Sequence, residues 1–308
     1  MINQSYINQA DLLLQVIPQI ATEKTLALKG GTAINLFLRN MPRLSVDIDL
    51  TYLPFDNRET ALTNISDSLG RIRGWITKSI PGTTVNNHTI EGNDVKLLVQ
   101  SRNARIKVEV NTVTRGHLYP VRLLQVNDKV QERFKKFAAI QVVSDAELYG
   151  GKICAALDRQ HPRDLFDLYL LFQESGYNED IKNGFIQALV SHMRTLHEVL
   201  QPHLLDQQSV FDNQFQGMSD IAFTYEDFEA TREKLIETLN SSLTDTDRSF
   251  LLSFKRGEPD WDLFPVAGLK DMSAVQWKLQ NIQNLKRSNP GKHKELLSKL
   301  ETLLYKSE

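Results

Sequence analysis

The spacing of apolar residues along the chain predicts mixed structure in the first half and helices in the second. Apolar residues recur at helical spacing over residues 7–22, 32–40 and 58–79, and the third helix is expected to begin near Asn57. The stretches LALK, LSVDIDLTYL, VKLLVQ and RIKVEVNTV are rich in β-formers and are predicted to be strands, while PGTT and EGND predict turns of a hairpin region. This order of elements predicts the α+β fold class.

The pattern changes after the stretch QVVS. AELYGGKICAALDRQ and HPRDLFDLYLLFQES predict two consecutive helices, the second with Pro162 in its first turn, and beyond about residue 180 the pattern is helical to the end. We therefore expect a core over residues 1–145 and a helical domain over residues 146–308.

Composition narrows the class of protein. The chain has 308 residues, of which 41% are hydrophobic and 24% charged, which is enough apolar material for a core divided over two domains. No apolar run approaches the ~20 residues that a membrane span needs. A single cysteine, Cys154, excludes an internal disulfide and fits a reducing cytosol, so a cytoplasmic location is expected. Net charge is −2, with +4 over residues 1–150 and −6 over residues 151–308, a weak lean of the first half towards polyanions.

Two aspartates lie one residue apart in a predicted strand. Asp47 and Asp49 alternate with Val46, Ile48 and Leu50, so both carboxylates face the side opposite the apolar set. Two neighbouring negative charges repel each other unless a cation joins them. The pattern therefore favours a divalent metal site, although acidic pairs also occur on solvated strand faces.

Three residues at a predicted strand–helix turn and one later carboxylate extend this site. Gly30 and Gly31 let backbone N–H groups approach a phosphate at a helix N-terminus, and Thr32 adds a hydroxyl donor. Glu109, on a later strand, supplies a third carboxylate, and three such groups can hold two Mg²⁺ ions for an in-line phosphoryl displacement. A glycine pair alone is common in such turns, and Glu109 alone is compatible with a surface residue beside Lys107. The ordered combination favours the metal site.

The stretches LALKGGTAINLF, RLSVDIDL, IKVEVN and GGKICAALDRQHPRDLFDLYLL together resemble a known family. They are similar to the nucleotidyltransferase superfamily with the DNA polymerase β-like core, and within it to the AbiEii/AbiGii toxins of type IV toxin–antitoxin and abortive-infection systems. The resemblance covers about residues 25–171. It implies a mixed sheet with flanking helices, followed by a variable helical C-terminal domain.

The fourth stretch holds basic and acidic candidates. Lys152 and Arg159 lie seven residues apart, near one helix face, where they are suited to nucleotide or pyrophosphate oxygens. The resemblance implies that Lys152 and an aspartate of RDLFD, either Asp164 or Asp167, belong to the active site. Other roles stay open, because Asp164 is also a first-turn helix acid and Asp167 lies four residues after Arg163.

Two residues before the aspartate pair also match the family pattern, which has a basic and a small hydroxyl residue there. Arg43 is expected to neutralise the carboxylates or to contact phosphate. Ser45 shares the predicted strand face with Asp47 and Asp49.

The leading hypothesis is a nucleotidyltransferase toxin that moves a nucleoside monophosphate from an NTP to an acceptor and releases pyrophosphate. Asp47 and Asp49 would bind Mg²⁺, or Mn²⁺ in its place, and Glu109 would complete the site and help to deprotonate the acceptor. The resemblance implies the 3′ end of tRNA as acceptor, with arrest of translation and growth, and a cognate antitoxin encoded nearby. The alternatives are a small-molecule or protein acceptor, or a non-catalytic nucleotide-binding module.

Overall fold

The computed structural model describes residues 3–174 and 176–305. The chain divides into two compact units. The first unit comprises Met1–Ser144 and Gln214–Ala222, and the second comprises Asp145–Asn213 and Phe223–Glu308. Among the described residues, no helix has both the length and the apolar character that crossing a membrane requires.

The first unit is built on a mixed β-sheet, as predicted for an α+β protein. Within the described residues the sheet has seven strands in the order β3-β4-β5-β2-β1-β7-β6. The pairs β1–β7 and β2–β5 are parallel, and the other neighbours are antiparallel. The strands are β1 Leu26–Lys29, β2 Asp47–Tyr52, β3 Thr84–Ile90, β4 Asn93–Gln100, β5 Arg105–Asn111, β6 Arg122–Gln125 and β7 Ala139–Val142.

Helices flank this sheet, and the described regular structure of the second unit is helical. Short π-helical turns occupy Ala33–Leu38 and Phe211–Phe215, and 3₁₀ turns occupy Trp261–Leu263 and Leu269–Asp271. The α-helices are α1 Gln4–Ile20, α2 Gly30–Thr32, α3 Arg58–Ser79, α4 Asp128–Phe134, α5 Asp145–Arg159, α6 Pro162–Glu174, α7 Glu179–Ser191, α8 Leu196–Leu200, α9 Gln208–Val210, α10 Tyr225–Ser242, α11 Asp245–Arg256, α12 Ser273–Ser288 and α13 Pro290–Leu304.

The period-two alternation of the central strands separates an apolar face from a polar one. In β5, Ile106, Val108 and Val110 are fully buried, while the residues between them are partly exposed. Helix α1 contacts β5, and α3 contacts β4. Burying these side chains against the helices stabilises the unit by roughly 25 cal/mol for each Å² of apolar surface removed from water. The opposite face of the central strands is left with the polar side chains.

The close crossing of α5 and α7 in the second unit depends on glycine. A Cβ added to Gly150 of α5 would lie 2.1 Å from the main-chain carbon of Gly184 in α7. A Cβ on Gly184 would lie 2.0 Å from the carbonyl oxygen of Ala146. Only glycine at both positions lets the two helix backbones approach this closely.

Most predicted elements are present, and the differences have local causes. The helix over residues 58–79 is confirmed, and the side chain of Asn57 accepts a hydrogen bond from the Thr60 N–H as its N-cap. The helix predicted over residues 32–40 instead begins at Gly30 and becomes π-helical. The strand predicted over LSVDIDLTYL is shorter, since Leu44 donates its N–H to Met218 rather than to a neighbouring strand.

Candidate functional site

Acidic and basic side chains alternate on the polar face of the central strands. In the parallel pair of β2 and β5, Asp47 lies beside Lys107 and Asp49 lies beside Glu109. Lys29 of β1 lies directly opposite Asp49. Directly paired residues in neighbouring strands project from the same side of a sheet. The structure therefore brings the three predicted carboxylates to one face and places lysines among them.

The carboxylate of Glu109 is held by two lysines. Its Oε1 lies 3.1 Å from Nζ of Lys96, and its Oε2 lies 2.8 Å from Nζ of Lys107. Partial burial would raise the pKa of Glu109, but the hydrogen bonds from Lys107 and Lys96 outweigh it and hold the pKa below its ordinary value. Burial likewise opposes the charge on Lys107, yet Glu109, Asp47 and Asp49 raise its pKa. Glu109 is thus a weaker base here than a free glutamate.

The two glycines after β1 make room for the polar side chains around them. Gly30 has a φ of +74°, and a Cβ there would lie 2.8 Å from Oδ2 of Asp49. A Cβ on Gly31 would lie 2.8 Å from Nη2 of Arg43 and 3.2 Å from Oγ of Ser45. A left-handed φ and this close approach both favour glycine. The turn therefore brings bare backbone up to one of the predicted metal ligands.

Thr32 points towards the start of β2. Its buried hydroxyl donates a hydrogen bond to the main-chain carbonyl of Asp47 and lies 2.9 Å from the hydroxyl oxygen of Ser45. These contacts fix the start of β2, the strand that carries the aspartates. They make Thr32 a positioning residue, and the phosphate contact predicted for its hydroxyl stays a prediction.

Arg43 lies where the segment Gln214–Ala222 returns to the first unit. Its guanidinium is buried, and Nη1 donates to the carbonyl of Leu44 at 2.9 Å. Its backbone forms a β-bridge with Ser219, and the N–H of Leu44 donates to the carbonyl of Met218 at 2.8 Å. The turn before β2 is therefore supported by a segment about 170 residues later in the sequence.

A second group of charges lies in the second unit, between α5 and α6. Nζ of Lys152 lies 2.7 Å from Oδ1 of Asp164 and 3.0 Å from Oδ2 of Asp167. Arg159 donates from Nε to Oδ2 of Asp164 at 2.6 Å and from Nη2 to Oδ1 at 3.0 Å. The side chains of Asp164 and Asp167 are 1% and 0% exposed. The side chain of Arg159 is 58% exposed, whereas the other three are buried. We call these four residues the buried charge cluster.

The buried charge cluster is balanced, with two acids and two bases. Burial alone would raise the pKa of Asp164, but the charges and hydrogen bonds of Lys152 and Arg159 hold it well below its ordinary value. Both aspartates of RDLFD reach the same lysine, so Asp167 has a partner besides the Arg163 that its spacing suggested. The catalytic and nucleotide-binding roles predicted for the cluster stay predictions.

The sheet face fits a divalent metal through two of its three predicted ligands. Asp47 and Asp49 are partly exposed and offer the oxygen ligands that Mg²⁺ prefers. Glu109 directs both oxygens to lysines. Over the described ranges 3–174 and 176–305, no group of three His, Cys, Asp or Glu side chains is arranged to hold a metal. Two carboxylates still suffice, because Mg²⁺ usually keeps waters and takes the remaining ligands from substrate phosphates.

Two lysines of this face, Lys29 and Lys96, escaped sequence reasoning, and Lys107 was predicted only to lie beside Glu109. Lys107 has a local signal, because it alternates with Glu109 on the same strand. Lys29 stands directly before the glycine pair and donates to the Thr114 hydroxyl at 3.3 Å. Lys96 reaches Glu109 only because β4 pairs with β5, a contact that spacing along the chain does not reveal.

The chain is similar to known proteins in sequence and in fold. The sequence model of the family described as "Nucleotidyl transferase AbiEii toxin, Type IV TA system" matches residues 11–281. Among solved structures, the chain is similar to MenT4, a nucleotidyltransferase toxin from Mycobacterium tuberculosis H37Rv, with a TM-score of 0.61 and 14% sequence identity over 96% of this chain and 93% of that one. A search of curated proteins found no match. The structural likeness confirms the predicted fold class.

Proposed function

Because the chain belongs to the AbiEii family of nucleotidyltransferase toxins of type IV toxin–antitoxin systems, we propose that it transfers a nucleoside monophosphate from an NTP to the 3′ end of tRNA. Such a transfer would block aminoacylation and so arrest translation and growth, the outcome that abortive phage infection requires. The family implies an antitoxin partner and an NTP substrate. The observation that supports the site is that Asp47 and Asp49 share one sheet face, with the bare backbone of Gly30 close to Asp49.

The reaction exchanges one phosphoester bond for another. The 3′ hydroxyl oxygen of the acceptor forms a bond to the α-phosphorus, and the bond from that phosphorus to the α–β bridging oxygen breaks. Pyrophosphate leaves with the bonding electrons, and the hydroxyl proton passes to a base. In-line transfer of this kind is accelerated mainly by positioning and by charge stabilisation.

The residues of the first unit divide these tasks. Asp47 and Asp49 would hold Mg²⁺, which when bound supplies the positive charge that a triphosphate requires. Gly30 keeps the approach to Asp49 free of a side chain, and Gly31 leaves room for Arg43 and Ser45. Thr32 holds the start of β2 through its bond to the carbonyl of Asp47.

Glu109 has a different part in this proposal. While Lys96 and Lys107 hold its carboxylate, the lowered pKa makes it a poor acceptor for the hydroxyl proton. Deprotonation by Glu109 therefore requires that at least one lysine moves away. Until then Glu109 serves to anchor the two lysines beside the aspartates.

A label-transfer assay tests the proposal. The protein is incubated with total tRNA, Mg²⁺ and each α-³²P-labelled NTP separately, beside an Asp47→Ala/Asp49→Ala variant. Asp67→Asn serves as the matched control, because Asp67 is an exposed acid on α3 of the same unit.

We expect label on tRNA from wild type and from Asp67→Asn, and none from the double variant. If label appears on a protein or on a small molecule in a cell extract, but not on tRNA, the acceptor is that molecule and not tRNA. Absence of both transfer and Mg²⁺–NTP binding by the wild type would contradict the enzymatic role of this face.

A further inference from the structure

A cavity of about 210 Å³ lies within the second unit, apart from every motif discussed above. Its walls come from the end of α7 and the loop after it, from α11, from α12 and from α13. Four of its lining residues are unusual for a cavity that serves only packing. Two are buried lysines and two are exposed apolar side chains: Lys255, Lys278, Met193 and Trp277.

Lys278 is buried, and its charge is satisfied by backbone. Its Nζ donates to the carbonyl of Leu189 at 2.9 Å and to that of Arg194 at 2.8 Å. Burial lowers its pKa to about 7, and the neighbouring Lys255 acts in the same direction. These bonds tie the end of α7 and the loop after it to α12, so Lys278 has a structural reason to be in place.

The burial of Lys255 is not explained by hydrogen bonds of this kind. Its side chain is 3% exposed. Within residues 3–174 and 176–305, no oxygen lies within hydrogen-bond or ion-pair distance of its Nζ. Burial lowers the pKa of Lys255, and Glu198 only partly opposes that effect. A buried cation without an acceptor is unfavourable, and a second lysine on the same cavity makes it more so. The cavity is therefore short of negative charge.

The remaining two residues give the cavity an apolar mouth. Trp277 is 53% exposed and Met193 is 74% exposed, although both are large apolar side chains. Exposed tryptophan beside positive charge is the combination that binds a flat ring attached to an anion, because every nucleobase has a face that stacks on an indole.

We propose that this cavity is a second nucleotide site, which binds a phosphate monoester joined to a flat ring, with the phosphate on Lys255 and the ring on Trp277. A phosphate monoester carries between one and two negative charges at neutral pH and so matches two lysines better than a carboxylate does. The volume is below the ~300–1,000 Å³ of sites that enclose a whole small molecule. The phosphate therefore enters, and the ring stays at the mouth.

Two sources supply this chemistry, a free nucleoside monophosphate and the 5′-phosphorylated end of an RNA. Binding is measured by calorimetry with AMP, adenosine, a 5′-phosphorylated tetra-adenylate and its 5′-hydroxyl counterpart. The Asp47→Ala/Asp49→Ala protein in EDTA is used throughout, so that the face proposed for catalysis does not contribute.

We expect AMP to bind at least tenfold more tightly than adenosine. Lys255→Met should remove that preference, and Trp277→Ala should weaken binding of AMP and adenosine alike. The matched controls are Lys294→Met, an exposed lysine of α13, and Trp75→Ala, an exposed tryptophan of the first unit. Equal affinity for the 5′-phosphorylated tetranucleotide would identify RNA ends as the source, and binding of AMP alone would identify free nucleotide.

Two results would overturn the proposal. One is unchanged AMP affinity in folded Lys255→Met or in Trp277→Ala, whose side chain is half exposed and whose removal leaves the core intact. The other is absence of AMP and phosphorylated-RNA binding by the parent protein with both lysines intact. Circular dichroism melts establish that each variant is folded. Neither result depends on label transfer to tRNA, so the two proposals fail separately.

Discussion

The sheet face of the first unit and the buried charge cluster of the second use the same residue types in opposite ways. On the sheet face, Asp47 and Asp49 are partly exposed, and the bare backbone of Gly30 lies close to Asp49. In the cluster, Asp164 and Asp167 are almost fully buried, and both contact Lys152. An exposed carboxylate can exchange water for a metal or a phosphate-bound ion, whereas a buried one is committed to its protein partners. Exposure and partners, rather than residue type, separate the two.

Replacing one aspartate in each region should therefore affect different properties, mainly activity on the sheet face and stability in the buried charge cluster. Asp47→Asn should lower the label-transfer rate by at least about 10²–10³-fold, because it removes a carboxylate proposed to hold the Mg²⁺ that would stabilise the charge on the transferring phosphate oxygens. Its free energy of unfolding should change by less than about 0.5 kcal/mol, since the side chain is partly exposed. Transfer rates and urea unfolding are measured on the same preparation. A large loss of stability in Asp47→Asn would erase the distinction between the regions.

In the cluster, Asp164→Asn should lower the free energy of unfolding by about 3–5 kcal/mol. The change leaves the charge of the buried Lys152 less compensated and replaces one of the two Asp164 oxygens that accept from Arg159 with an amide donor. Urea unfolding followed by circular dichroism measures the difference. Glu237→Gln, an exposed acid on α10 of the same unit, is the control and should change stability by less than about 0.5 kcal/mol.

Alanine substitutions at the two glycines before Lys152 should have different effects on stability. Gly150→Ala is expected to destabilise the protein by about 3 kcal/mol, because its Cβ would collide with the backbone of Gly184. At Gly151 a Cβ meets nothing within 4 Å, so Gly151→Ala should stabilise by about 0.5–1 kcal/mol through helix propensity. Thermal melts of the pair are compared. Equal melting temperatures would mean that α5 and α7 do not cross as closely as described.

The depressed pKa of Asp164 predicts a dependence of stability on pH. A carboxyl group whose folded pKa lies below its unfolded value contributes stability above about pH 4 and loses it progressively as the pH falls further. Wild type should therefore lose stability more steeply below about pH 4 than Asp164→Asn does. Urea unfolding at a series of pH values measures both slopes. Parallel curves would show that the carboxyl is not held ionised by its neighbours.

The smallest expected effect concerns the lysines of the sheet face. Lys107→Met should strengthen Mn²⁺ binding by roughly tenfold, since it removes a positive charge beside Asp47 and releases one oxygen of Glu109. Calorimetry without nucleotide measures the affinity. Lys24→Met removes an exposed lysine elsewhere in the first unit and should leave it unchanged. Weaker binding in Lys107→Met would indicate that the lysine supports the metal site instead of restraining it.

Sequence patterns predicted the elements that are determined by residues close together in the chain. The helix over residues 58–79 carries its own cap, and the alternation in β2 and β5 separates the charged face from the apolar one. Strand β3 escaped prediction because nearly all of it is exposed and it lacks alternation. It lies between the two predicted turns, PGTT and EGND, and pairs with β4.

The missed parts of the site depend on contacts between distant residues. The return of Gln214–Ala222 to the first unit leaves no signal in the sequence around Arg43. The contact of Thr32 with the Asp47 carbonyl follows from the packing of α2 against β2, and the reach of Lys96 to Glu109 follows from strand pairing. In the buried charge cluster, seven-residue spacing placed Lys152 and Arg159 on one face, but only the packing of α5 against α6 showed that both aspartates meet the lysine.

The central claim is that Asp47 and Asp49 hold the metal, and a Mn²⁺ titration followed by electron paramagnetic resonance tests it most directly. Wild type, Asp47→Ala/Asp49→Ala and Asp67→Asn are titrated without nucleotide. Saturable binding is expected in wild type and Asp67→Asn and should disappear in the double variant. Equal binding by all three proteins would contradict it and would place the metal, if the chemistry uses one, on other residues.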